Sequence, residues 1–270
     1  MTAGAADRQA AQAGECAPET GLAGAGADAP RAAPVTAPVT ATPIAPATLY
    51  LVATPIGNLG DLSPRARDTL AAVDVMYAED TRVTRKLSAR FQLTTPLRRF
   101  DAATTARKIP EILARLDAGE AVALVSDAGT PGISDPGTPL VAAARDAGYD
   151  VVPVPGPSAA VAALSVSGLP THAYYFGGFL PRKAGKRERL LTALGELDAT
   201  LVFYESPYRV VASFQQLAQL WPTRMGAFAR ELTKLHEEIV RAPLPELAAD
   251  LAARPSIRGE FVILIAPEPH

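Results

Sequence analysis

From residue 48 onward, apolar residues fall into blocks of two kinds. Short, largely apolar runs at 49–53, 73–78, 122–125 and 151–154 have strand length and little alternation, the pattern of strands buried on both faces. Longer stretches between them carry apolar residues at helical spacing, such as 109–116 before Gly119 and the stretch from Leu140 to a stop at Gly148. A further short run at 97–100 fits a third strand, which predicts five strands and their helices up to residue 168. Beyond 169 the layout repeats without repeating the sequence. Strands are expected at 174–179, 201–204, 226–229, 238–241 and 260–265, a helix opened by Ser206-Pro207 through 220, and a short helix at 247–252. Two consecutive strand candidates there have no helix between them, so the second sheet should be mixed. The expected fold is α/β in two domains, 48–168 with a mostly parallel sheet and 169–267 with a mixed one.

The stretch 121–158 organises the first domain. Val122–Val125 ends in a loop too rich in Gly and Pro for helix or strand, residues 126–136, and the next strand ends in the tight turn Pro155-Gly156-Pro157-Ser158. Strand, loop, helix, strand, loop, helix places both loops at the carboxyl edge of one parallel sheet, where open α/β sheets bind ligands. Gly129, Gly132, Gly137 and Gly156 let backbone approach a ligand, while Asp127, Thr130, Asp135 and Ser158 supply polar side chains. The first strand also ends in such a loop, 54–61, before the helix start Ser63-Pro64.

Composition changes this picture at the amino terminus. Residues 1–47 are almost all Ala, Pro, Gly and Thr, with five large apolar residues, and are expected to be a disordered tail. Lacking the continuous apolar block of a signal peptide and the acid-poor composition of a transit peptide, the tail reads as a solvated extension. Its Arg8 and Arg31 stand against Asp7, Glu15, Glu19 and Asp28, which leaves the rest of the chain charge-balanced, so any nucleic-acid affinity must come from local basic patches. The single cysteine lies in the tail and no apolar stretch approaches the roughly 20 residues that span a bilayer, so a cytoplasmic location without membrane contact is expected.

Candidate chemistry narrows by elimination. No dinucleotide glycine triad follows the first strand and no Walker-type Gly-Lys-Ser/Thr is present, so NAD and nucleoside triphosphates are disfavoured. The three histidines have no metal-pair spacing, so no metal site is expected. Acid–base work would fall to carboxylates, lysine or tyrosine, with the strand-end carboxylates Asp80, Asp127 and Glu205 best placed, although such residues are more often turn or helix caps. Two basic features stand out: Arg82, Lys86 and Arg90 at four-residue spacing, and the dense run Arg182, Lys183, Lys186 and Arg187. A solvated face is the commoner meaning of such runs.

TPIGNLGDLSPRA, AEDTR, VSDAGTPGISDPG, VPGPSA, GFLPRK, FYESPYR and ARELTK follow one another in the order found in the tetrapyrrole methylase superfamily, and their wording resembles its RNA-modifying branch. The likeness runs from Leu49 to Ile265. It implies two α/β domains with a cofactor cleft between them, a homodimer, and S-adenosyl-L-methionine-dependent 2′-O-methylation of a cytidine in 16S rRNA, with the small ribosomal subunit as partner. It also implies a donor site made of Pro55, Ala128, Gly129, Thr130, Ile133, Ser158 and Ala159, with Tyr204, Glu205 and Leu232 from the second domain; the loop residue Asp127 adjoins these. The two basic features become RNA contacts. The chain departs from the family pattern at 100–105, where a histidine-rich run is replaced and Asp101 is the only ionisable group, and at Tyr208, where histidine is common. Asp80, Asp101 and Glu205 therefore stand as catalytic candidates, with the base unassigned. A non-catalytic RNA-binding or ribosome-assembly protein on the same fold, and a tetrapyrrole methylase, are the alternatives; the basic run suits phosphates better than a macrocycle.

Overall fold

The computed structural model describes residues 43–268, and the expectation of disorder for 1–42 lies outside them. In the first half, β1 (Thr48–Val52), β2 (Val75–Ala78), β3 (Leu97–Arg99), β4 (Val122–Val125) and β5 (Asp150–Val154) form one sheet in the order β3-β2-β4-β1-β5. Every pairing in it is parallel. Five helices connect or follow these strands: α1 (Pro64–Ala72), α2 (Thr81–Phe91), α3 (Thr105–Asp117), α4 (Thr138–Asp146) and α5 (Ala159–Val166). The continuous apolar runs are explained by burial on both faces. Val52, Met76, Ala123 and Val125 pack with Leu70 and Leu87 on one side, while Leu49, Tyr77 and Leu124 pack with Ile112 and Leu140 on the other.

The second half holds β6 (Tyr174–Phe179), α6 (Ala184–Leu194), β7 (Thr200–Glu205), α7 (Val210–Leu220), β8 (Met225–Arg230), β9 (Glu238–Pro243), α8 (Leu244–Ala253) and β10 (Phe261–Ile265). Its sheet runs β6-β7-β10-β8-β9; β6 and β7 are parallel and the other pairs antiparallel, a mixed sheet as expected. One face is covered by α6, α7 and α8 through Leu191, Phe214 and Leu251. The opposite face is covered by α5 of the first half, whose Ala160, Ala163 and Leu164 pack on Val202, Ala227 and Leu264. Helix α5 thereby fixes the carboxyl edge of the first sheet against the second.

Several element boundaries differ from expectation, with β2 starting at Val75 and α8 at Leu244, and two further differences have a visible cause. Helix α7 begins at Val210, because Ser206 is spent on a turn in which its carbonyl accepts the N–H groups of Arg209 and Val210 at 3.0 Å each. The last residues assigned to the tail belong to the body. Ile44 packs against the core cluster that includes Tyr50 and Leu70, the Ala45 N–H donates to the Tyr50 hydroxyl at 2.8 Å, and the Ala47 N–H donates to the Gly119 carbonyl at 3.1 Å.

Candidate functional site

β4 and β1 are neighbours at the centre of the first sheet and β5 flanks β1, so the loops leaving their carboxyl ends lie side by side. The first two loops are joined directly. Thr54 and Gly129 exchange both backbone hydrogen bonds, at 2.9 and 3.0 Å, and the Thr54 hydroxyl donates to the Ser126 carbonyl at 2.9 Å. Gly129 holds φ at +84°, a left-handed conformation that glycine adopts without penalty and that turns the loop back after this bridge. The Thr130 hydroxyl reaches the Pro157 carbonyl of the third loop at 3.4 Å, and Asp135 accepts the N–H groups of Gly132 and Gly137 at 2.6 and 2.8 Å.

The second half of the chain meets this edge. The Asn58 N–H donates to the Thr233 hydroxyl at 3.0 Å, and a Cβ on Gly57 would stand 2.6 Å from Lys234 Cγ and 2.9 Å from the Leu232 carbonyl, so only glycine permits this approach. Leu232 sits between two residues in left-handed backbone, Glu231 (φ 52°) and Thr233 (φ 65°). Such conformations persist where the surroundings over-determine them. Here the Glu231 carboxylate accepts from Lys234 Nζ at 2.9 Å and from the Glu260 N–H at 3.0 Å, while the Thr233 N–H donates to Glu237 at 2.6 Å.

Between the two sheets lies a cavity of about 380 Å³, within the roughly 300–1,000 Å³ usual for small-molecule sites. Asp127, Ala128, Gly129, Thr130, Ile133, Ser158, Ala159, Tyr204, Glu205 and Leu232 all line it. Pro55 does not; it is buried behind the neighbouring Ile56, which does. Sequence reading passed over Glu79, Phe179, Lys234 and Glu260, which also line it. Glu79 directly precedes Asp80 in AEDTR, Phe179 lies in GFLPRK and Lys234 follows Leu232 in ARELTK, so three of the four stand inside the motifs, while Glu260 lies outside them.

The three carboxylate candidates have other partners. Asp80 is the N-cap of α2; its side chain accepts from the Arg82 N–H at 2.8 Å and pairs with the Arg82 guanidinium at 2.6 Å, which lowers its pKa to about 2. Asp101 caps the turn into α3 by accepting from the N–H and hydroxyl of Thr104, at 2.8 Å each, and it pairs with Arg99. Neither lines the cavity. Glu205 lines it but is only 2% exposed, and its oxygens are taken by Arg209 at 2.6 Å, the Ser206 N–H at 2.8 Å and the Ser213 hydroxyl at 2.7 Å. By contrast, the Glu79 carboxylate forms no hydrogen bond or ion pair among the described residues. Burial raises its pKa first, and repulsion from Asp127, Asp135, Asp101 and Asp80 adds to that.

Of the basic residues, Arg82, Lys86 and Arg90 are exposed along α2, and Arg182, Lys183 and Lys186 are exposed around the start of α6. Arg187 corrects the expectation. It is 6% exposed and its Nε donates to Gln216 on α7 at 2.5 Å, because its position on α6 faces the neighbouring helix. It holds two helices together and has no free face for RNA.

Fold and cavity together define an α/β protein that takes a small ligand between a parallel and a mixed sheet. The family model of tetrapyrrole (corrin/porphyrin) methylases matches residues 48–248. Ribosomal RNA small subunit methyltransferase I of Xylella fastidiosa is 50% identical over 212 residues, covering 78% of this chain and 78% of that protein. The protein of the same name from Synechocystis is 48% identical over 212 residues, covering 78% and 76%. Among solved structures, uroporphyrin-III C-methyl transferase from Thermus thermophilus, complexed with S-adenyl homocysteine, has a TM-score of 0.56 at 23% identity over 80% of this chain and 96% of that one, a likeness of fold. The chain belongs to the tetrapyrrole methylase family and, within it, to the group of ribosomal RNA small subunit methyltransferase I.

Proposed function

We propose that this chain is an S-adenosylmethionine-dependent methyltransferase acting on the ribose 2′ oxygen of a cytidine in 16S rRNA, with the small ribosomal subunit as substrate and a homodimer in the cytoplasm as the working form. The observation that carries the reading is the cavity itself, built from the three strand-end loops and closed by Tyr204 on β7 and Leu232 in the loop after β8. Near-50% identity to enzymes named for small-subunit rRNA supports RNA over a tetrapyrrole as the acceptor. Among the described residues no helix is long and apolar enough to cross a membrane.

The residues present fit the donor. Ile56, Ile133 and Leu232 give apolar walls for an adenine ring, and the loop backbone at 128–130 offers the close approach an amino-acid end needs. Glu79, Asp127 and Asp135 crowd like charges at one side of the cavity, a crowding that a cationic ligand relieves. The bound donor supplies a methyl group already activated on a sulfonium. The protein's part is then to hold the ribose oxygen in line with the methyl group, the displaced proton passing to water at the cavity mouth, and positioning contributes most of the acceleration. Asp80, Asp101 and Glu205 act as caps and as a buried anchor that orient the loops; none of them is the base.

The test is transfer of labelled methyl to small subunits isolated from a strain lacking the modification, with the nucleoside identified by mass spectrometry. A single 2′-O-methylcytidine is expected. A base-methylated product would overturn the acceptor atom, and no transfer together with no saturable donor binding would leave an RNA-binding protein.

A further inference from the structure

One edge of the cavity mouth carries two aromatic rings in solvent. Tyr208 is 94% exposed and Phe179 is 56% exposed. The turn presenting Tyr208 is rigid. The Tyr208 N–H donates to the Ser206 hydroxyl at 3.2 Å, Arg209 pairs with buried Glu205 at 2.6 Å, and a second Arg209 nitrogen donates to the Leu180 carbonyl at 3.1 Å. That last bond ties the Tyr208 turn to the residue after Phe179, so both residues belong to one edge. Phe179 is braced edge-on against Tyr204, with ring centroids 5.6 Å apart at 67°. Phe179, Ser206 and Pro207 line the cavity, and Tyr208 follows directly outside it.

Past Leu180 the same edge continues into Pro181 and the exposed cations Arg182, Lys183 and Lys186. Exposed aromatic rings on an anchored backbone, next to exposed cations, are what an unpaired RNA strand takes: bases stack on the rings and the backbone follows the charge. A duplex, whose bases are stacked on one another, has no use for the rings. We infer that Phe179 and Tyr208 form a stacking platform for unpaired nucleotides of the RNA acceptor, setting the strand so that one ribose enters the cavity mouth. Tyr208 is thus a positioning residue for the acceptor. This rests on the methyltransferase reading above and names how its substrate is held.

The experiment uses the full chain, a single-stranded oligoribonucleotide copied from the methylated region, and small subunits. Tyr208→Ala should weaken oligonucleotide binding by roughly 5- to 150-fold, the range for losing one base–aromatic stack. It should also raise KM for subunits, while Tyr208→Phe stays near wild type. Donor affinity and the thermal midpoint should not change, because the ring lies outside the cavity and in water. Wild-type RNA affinity and KM in Tyr208→Ala would overturn the platform while leaving the methyltransferase reading intact. A change in oligomeric state on sedimentation, with RNA affinity unchanged, would overturn it in favour of a protein–protein face. If the wild-type protein itself labels no RNA, the functional reading falls and the platform with it.

Discussion

Glu79 shows how one side chain's surroundings can be read as a preference for ligand charge. Asp127 and Asp135 are pinned by backbone N–H donors, Asp127 from Asp80 at 2.8 Å and Asp135 from Gly132 and Gly137, whereas the Glu79 carboxylate has no such donor among the described residues. Its pKa is raised above the ordinary 4.5, by burial first and by the four neighbouring aspartates after it. The contribution favouring the native state is therefore complete below pH 4.5 and is lost as the pH rises through the folded value. Glu79→Gln should melt higher than wild type at pH 7.5, with the gain shrinking toward pH 4.5 in a series of thermal melts. The same charge should favour the sulfonium donor over its neutral-sulfur product. Calorimetry should show donor affinity falling on the order of ten-fold in Glu79→Gln, and product affinity falling less. Equal losses for both ligands would mean that Glu79 acts on shape and not on charge.

At the scale of elements, the strands and the loops at their ends were legible because burial on both faces leaves continuous apolar runs that stop abruptly at Gly and Pro. Of the donor residues that the family resemblance implies, all but Pro55 line the cavity, and those of the first half lie where the strand-end loops of a parallel sheet share one edge. What sequence could not give was the direction in which a side chain points. Arg187 and Lys186 are adjacent in one basic run, yet one faces Gln216 and the other water, a difference decided by where α7 packs. Asp80 and Glu79 divide in the same way, one capping α2 and the other lining the cavity. Composition also set the tail boundary too late, because a single Ile in an Ala/Pro-rich stretch carries no periodicity. Ile44 and the backbone bonds of Ala45 and Ala47 predict that a chain starting at Thr48 is less stable than one starting at Pro43. One half-buried Ile and two hydrogen bonds amount to about 2–3 kcal/mol, or roughly 5–10 °C of thermal midpoint in a body of this size. Identical midpoints for the two chains would show that these contacts contribute nothing in solution.

At the scale of the molecule, the balanced charge of residues 48–270 resolves into an acidic cavity and basic features outside it. Glu79, Asp127 and Asp135 line the cavity, while Arg182, Lys183 and Lys186 lie around the start of α6 and do not line it. A cationic donor and a polyanionic acceptor can then be attracted to different places on one protein, which makes the two affinities separable by mutation. Replacing Arg182, Lys183 and Lys186 together by alanine removes three exposed cations and spares Arg187, whose loss would unseat α6 from α7. If each of the three reaches a phosphate of a single strand, the slope of log K against log salt should become shallower by about 2, at roughly 0.7 per contact. Affinity should then fall at low salt and converge with wild type at high salt, and base preference should be kept, since phosphate contacts fix register and not sequence. Titrations of a labelled oligoribonucleotide at several salt concentrations, run beside donor calorimetry, decide the matter. An unchanged slope would make the run a solvated surface, and a parallel fall in donor affinity would mean that the two binding functions are coupled through β6 and the Phe179 wall.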